Sequence, residues 1–192
     1  MSTAMPAPTR DAPSLAQMEL WGAAMLRSMA GDDALQWSGQ TLYQGTTPWV
    51  FSAAHHVGVP PQQVDQRGLI DSMGLRLSLS DEALHRQNLP TDAVERMVFE
   101  LLEQLRVESL VPAQWPGARE NMRQRFVSWC QAFIDSGLTE SSLGILLFTV
   151  SITAWSRLTG HEIPDPMSDV AEATRLSIAP ELGQYWVLLR RQ

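Results

Sequence analysis

Apolar residues recur along this chain at helical intervals, broken by short stretches rich in glycine and proline. Ser14 and Gln17 have capping-box spacing, and Leu15, Met18, Trp21, Met25, Leu26 and Met29 follow as one stripe ended by Gly31. The texture changes between Gly31 and Pro61, where glycines and prolines break any helix. The runs Leu35–Trp37, Leu42–Tyr43 and Trp49–Ala53 predict a small β-hairpin within 35–53, packed on helices. Helical texture resumes over Val64–Leu79, although Gly68 and Gly74 each lower helix propensity by about 1 kcal/mol. A short helix follows around Ser80–Arg86, then a turn at Asn88–Pro90.

The clearest helix is capped by Thr91 or Asp92 and runs to about Leu110, with Val94, Met97, Val98, Leu101, Leu102, Leu105 and Leu110 as a wide apolar stripe. Ala118–Asp135 sets Met122, Phe126, Trp129, Phe133 and Ile134 on one side, and Gly137 ends it. Thr139 is the expected cap of an apolar helix through Leu158, stopped by Gly160. Its core, Leu143–Trp155, is shorter than the about 20 residues a bilayer span needs, which predicts a buried helix. Asp165-Pro166 fits a helix start, and Pro180 opens a last helix over Glu181–Arg191. The expected fold is mostly α: one domain over residues 14–192 of six to eight helices, preceded by a mobile arm at residues 1–13.

Composition narrows the chemistry. The 192 residues carry a net charge of −7, which argues against nucleic acid and anionic membranes as partners. All 14 basic residues are Arg, so a Schiff-base lysine, a Walker A lysine and a Ser-Lys dyad are excluded. No Gly-rich phosphate loop occurs, and the chain is expected to hydrolyse no ATP alone. The single cysteine, Cys130, lies in an apolar helical pattern and reads as a buried, inert thiol. Its solitary state fits a reducing, cytoplasmic setting.

No cofactor or metal site is expected. His55 and His56 are adjacent, and on a regular element adjacent side chains diverge. Asp81 and His85 are four apart with Glu82 nearby, but two ligands fall short of the three or four zinc takes, so a carboxylate bonded to a surface histidine is the simpler reading. Arg119, Arg123 and Arg125 read as a solvated basic face paired with acidic neighbours. Over Phe99–Glu108, Glu100, Glu103, Gln104, Arg106 and Glu108 stand three or four residues apart. That spacing suits an ion-pair network or a docking face better than a separated acid/base pair. Arg106 is expected to be partly buried, with Glu100 and Glu108 nearer a partner.

Several segments, in order, resemble the N-terminal helical region of the CobT-type subunit of aerobic cobaltochelatase. They are the Met29-Ala-Gly-Asp32 helix end, the run Arg67–Leu77 with Asp71 and Arg76, then Asp81 and His85. The strongest is Val98-Phe-Glu-Leu-Leu-Glu-Gln-Leu-Arg-Val-Glu108, similar to the family's Phe-x-x-x-Glu-Gln-x-Arg-Val-Glu run. Pro116–Asn121 and Arg157–Gly160 add to it. The resemblance implies an ATP-driven metal-insertion machine in which this subunit meets an AAA+ ring ATPase and a large corrinoid-holding subunit. Typical members continue into an acidic linker and a von Willebrand A domain. This sequence has no acidic run and no Asp-x-Ser-x-Ser, so it is expected to keep the ATPase-engaging region without that effector domain. The function implied is a non-catalytic subunit or adaptor; the alternative is a stand-alone helical domain whose Trp and Met residues line a pocket for a tetrapyrrole or other apolar ligand.

Overall fold

A computed structural model of the chain describes residues 14–39, 41–49, 53–56, 63–172, 174 and 176. Helix α1 (Leu15–Ala30) opens on the expected reciprocal capping box, Ser14 with Gln17, and closes on Gly31 at φ 66°, a left-handed conformation that glycine adopts without steric cost. Strands β1 (Leu35–Ser38), β2 (Thr41–Gln44) and β3 (Thr47–Trp49) form one antiparallel sheet in that order. Trp37 faces Leu42, and Leu42 faces Trp49. Leu35, Trp37 and Leu42 turn inward onto Ala23 and Leu26 of α1 and onto Leu69, Ile70 and Met73 of the next helix. The hairpin expected within 35–53 thus gains a third strand, which starts earlier than the Trp49–Ala53 run suggested. Residues 50–52 of that run, the N-terminal arm and the helix expected over 181–191 lie outside the described residues.

Helix α2 (Gln63–Leu79) lies at the centre, packed against α1, α4 (Ala93–Ser109) and α5 (Pro116–Asp135). Between Gln66 and Leu75 only Arg67 is exposed, so polar Gln66, Asp71 and Ser72 are interior along with the apolar positions. Gly68 has a packing reason that propensity does not reveal. A Cβ there would stand 2.5 Å from the Asn121 carbonyl oxygen and 2.8 Å from the Arg125 Cβ, so the bare backbone lets α2 and α5 approach.

The short α3 (Glu82–Gln87) connects α2 to α4, and Asp92 caps α4 by accepting from the N–H groups of Val94 and Glu95. Helix α6 (Ser142–Thr159) is capped by Ser141 rather than Thr139, because Leu138–Glu140 form a 3-10 turn ahead of it. By length and composition α6 could cross a bilayer, yet Phe148, Ile152, Ala154 and Trp155 lie in the main core with Leu101, Leu105, Phe126 and Trp129. The rings of Phe126 and Trp155 stack at 4.6 Å. Residues 165–172 are helical, as Asp165-Pro166 implied, and bring Met167 and Ala171 onto that core.

Candidate functional site

Helix α4 supplies most of the polar chemistry, in two clusters at different depths. The deeper one forms where α4 meets α2, α5 and the 3-10 turn Ala54–His56. Residues 104 and 108 are one helical turn apart, so both side chains lie on the covered side. The Gln104 amide donates to the main-chain carbonyl of Ser72 and to Oε1 of Glu108, each at 3.0 Å. Nε2 of His55 lies 3.0 Å from the same oxygen, and Nε2 of His56 lies 3.4 Å from it. All three side chains are almost fully buried, at 2%, 2% and 4% exposure for His55, His56 and Glu108. Phe126 and Trp129 meet the His55 ring edge-on, and Arg125 donates to the main-chain carbonyl of His56 at 2.8 Å.

Burial, then the neighbouring His55, push the His56 pKa down to about 3 against the pull of Glu108, leaving a neutral imidazole at pH 7. Burial would raise the Glu108 carboxyl, but His55 and His56 outweigh it and hold the group ionised, well below the usual carboxylate range. The Nδ1 atoms of both histidines have no hydrogen-bond partner among the described residues.

The second cluster is half-buried. Glu100 binds Nη2 of Arg76 at 3.1 Å and Nε2 of His85 at 2.8 Å, while Phe99 stacks on the His85 ring. One turn on, Glu103 accepts two bonds from Arg106, at 2.7 and 2.8 Å, and one from the Ser80 hydroxyl at 2.5 Å. Arg106 also donates to the Leu79 carbonyl. Burial works to raise the Glu103 carboxyl, yet these donors hold it below its ordinary value. Arg76, His85 and Glu100 line a cleft of about 160 Å³ whose wall continues to Ala53 and Gln104, next to the buried histidines.

Several expectations need correction. Gln104 and Glu108 are interior, because the 54–56 turn and α2 cover the side of α4 that the sequence leaves open; Glu108 is not near a surface partner. Arg106 is partly buried, as expected, at 19% exposure, with Glu103 at 16% and Glu100 at 14%. His55 and His56 converge on the Glu108 oxygen from the short 3-10 turn Ala54–His56, which is neither the α-helix nor the strand on which adjacent side chains diverge. Asp81 does not meet His85: it caps α3 through the Leu84 N–H, and His85 turns to Glu100. Asp71 accepts from Asn121 at 2.8 Å, and burial raises its carboxyl. Arg67 is exposed. The expected basic face divides: Arg123 pairs with Glu120, Arg119 reaches the Val111 carbonyl, and Arg125 is buried. Cys130 is fully buried and burial pushes its thiol far up, as an inert core residue requires. Trp37 and Trp129 are core residues rather than pocket walls, and Trp155, also in the core, edges only a small cleft. A second cleft, of about 20 Å³, is lined by Glu108, Arg119 and His161. Both fall short of the roughly 300–1,000 Å³ of small-molecule pockets.

A family model described as "Cobalamin biosynthesis protein CobT" matches residues 23–191. No curated protein and no solved structure matches the chain.

Proposed function

The chain belongs to the CobT family of cobalamin biosynthesis proteins, and from that premise we propose that it is a non-catalytic subunit or adaptor of a cobaltochelatase-like complex. Its partners in this reading are an AAA+ ATPase and a large chelatase subunit, and it works through protein–protein contact. The observation that carries the reading is a family match across nearly the whole of a sequence without a single lysine. These residues hold no Walker A motif, and the reading therefore gives the ATP hydrolysis that drives metal insertion to the AAA+ partner. The internal pairing of its polar groups supports the same view. Glu100, Glu103 and Glu108 are each tied to basic or imidazole groups, and Cys130 is sealed in the core. One buried, unpaired cysteine suits a reducing compartment, and we assign the protein to the cytoplasm.

Affinity purification of the tagged chain from its native host, with mass spectrometry of the eluate, tests this. An AAA+ ATPase recovered in near-stoichiometric amount, whose ATP turnover rises in the complex, is the expected outcome. A chain that elutes alone and leaves the host's chelatase-type ATPase unchanged overturns it.

A further inference from the structure

We propose that His55, His56 and Glu108 are the three protein ligands of a divalent transition-metal ion of the zinc or cobalt class, held inside the fold. The inference rests on the cluster itself and not on the adaptor role.

Convergence comes first. One ligand atom from each residue lies within 4.8 Å of the other two. The two ring nitrogens stand 3.0 and 3.4 Å from Oε1 of Glu108. A tetrahedral ion with bonds of about 2.0–2.1 Å separates neighbouring ligand atoms by roughly 3.3–3.4 Å, close to the two nitrogen–oxygen spacings, and all three atoms lie near enough to close on one ion. Two imidazoles and a carboxylate are the donor set that suits zinc, cobalt, nickel and iron rather than calcium or magnesium.

Crowding at Oε1 is the second observation. A carboxylate oxygen offers about two lone-pair sites. Three nitrogens approach this one, from His55, His56 and Gln104. A hydrogen-bonded clamp leaves one of the three poorly satisfied. An ion between the rings and the carboxylate replaces two of those contacts with bonds and leaves Gln104 as the positioning residue. Gln104 is fixed in turn by the Ser72 carbonyl, the arrangement by which an outer partner orients a ligating carboxylate.

Access and charge fit as well. The cleft beside Glu100 reaches Gln104 and Ala53, which adjoin the cluster, and Glu108 itself lines the smaller cleft on its other side. Arg125, bonded to the His56 carbonyl, adds positive charge beside the site, so binding is expected to be reversible by chelator.

The test uses the full chain, stripped with chelator and titrated with Co²⁺. One ion per chain, a visible ligand-field band and displacement of that band by Zn²⁺ are expected. Affinity should fall at least tenfold in His56→Gln and in Glu108→Gln, and stay unchanged in His85→Gln. If either buried variant fails to fold, X-ray absorption on the wild-type Co²⁺ form decides: imidazole scattering from two rings supports the site. A wild-type chain that binds no stoichiometric Co²⁺ or Zn²⁺, or an ion without imidazole ligands, overturns it and leaves a hydrogen-bonded clamp.

Discussion

Glu100 and Glu108 sit on one helix, two turns and about 12 Å apart, and each bonds to the Nε2 of a histidine. Their surroundings differ. Glu100 has a guanidinium, Arg76, and a cleft open to water. Glu108 has a second imidazole and an amide, closed over by α2 and the 54–56 turn. The same pairing of carboxylate and imidazole therefore serves two purposes. At Glu100 the charge is balanced and solvated, and its loss is tolerable. At Glu108 the carboxylate is the common partner of three buried donors, and nothing else described can take its place.

The largest contrast follows from removing each carboxylate. Glu108→Ala strands His55, His56 and Gln104 in the core. Breaking a buried charged interaction costs about 3–5 kcal/mol, which at roughly 2–4 °C per kcal/mol lowers the melting temperature by about 6–20 °C. Glu100→Ala leaves groups that water can reach, at a cost of about 1–2 kcal/mol. Thermal and urea denaturation of both variants measure the difference. Equal losses would mean that depth does not separate the clusters.

Acid should separate them again, at smaller amplitude. His56 has an ordinary pKa of 6.5 when unfolded and about 3 when folded. Below pH 6.5 the unfolded chain takes up a proton that the folded one refuses, so this contribution is present above 6.5 and declines as pH falls towards 3. Glu103 and Glu108 have depressed folded values, so their contributions are present above the ordinary 4.5 and are lost as pH falls through the folded values. In chelator-treated protein, urea midpoints should begin to fall below pH 6.5. His56→Gln should remove most of that upper limb, leaving the smaller part due to His161, which burial also lowers. Glu103→Gln should instead lower the midpoint by a constant amount above pH 4.5 and flatten only the slope below it.

Much of the architecture is legible from the amino-acid pattern because caps and stripes are local. Ser14 with Gln17, Asp92, Gly31 and Gly160 mark helix ends through hydrogen bonds or backbone angles that neighbours decide. Met122, Phe126, Trp129 and Phe133 mark the inner face of α5 by spacing alone. Helix α2 is less legible, since it is covered on several sides and has no polar face to contrast with an apolar one. Gly68 even counts against the helix until the α5 backbone is seen beside it. The buried site is hardest to read. Glu108 lies 53 residues from His55 in sequence, and only the tertiary path of the 54–56 turn joins them. The convergence of two adjacent histidines breaks a rule that holds for helices and strands, and the glycine- and proline-rich character of residues 31–61 is the one sequence signal that the rule does not apply there.

The smallest expected effect on stability is at Arg106, where the docking question is still sharp. With Glu108 and Gln104 interior, a partner can reach only the half-buried end of this face: Glu100, Glu103 and Arg106. Arg106→Glu exchanges a bidentate ion pair for two facing carboxylates, and Ser80 and the Leu79 carbonyl remain nearby. Water reaches the pair, so screening keeps the cost to about 1 kcal/mol and the melting temperature within a few degrees of the parent. If the ATPase docks here, the reversal should weaken the complex at least tenfold, or about 1.4 kcal/mol, while the fold stays intact. Titration of the purified ATPase against parent and variant, with denaturation of the same samples, reads both quantities. Tenfold weaker binding by a folded variant locates the contact on the outer turns of α4. Unchanged binding moves it off this helix, and the Glu103–Arg106 pair is then a tether between α4 and the end of α2.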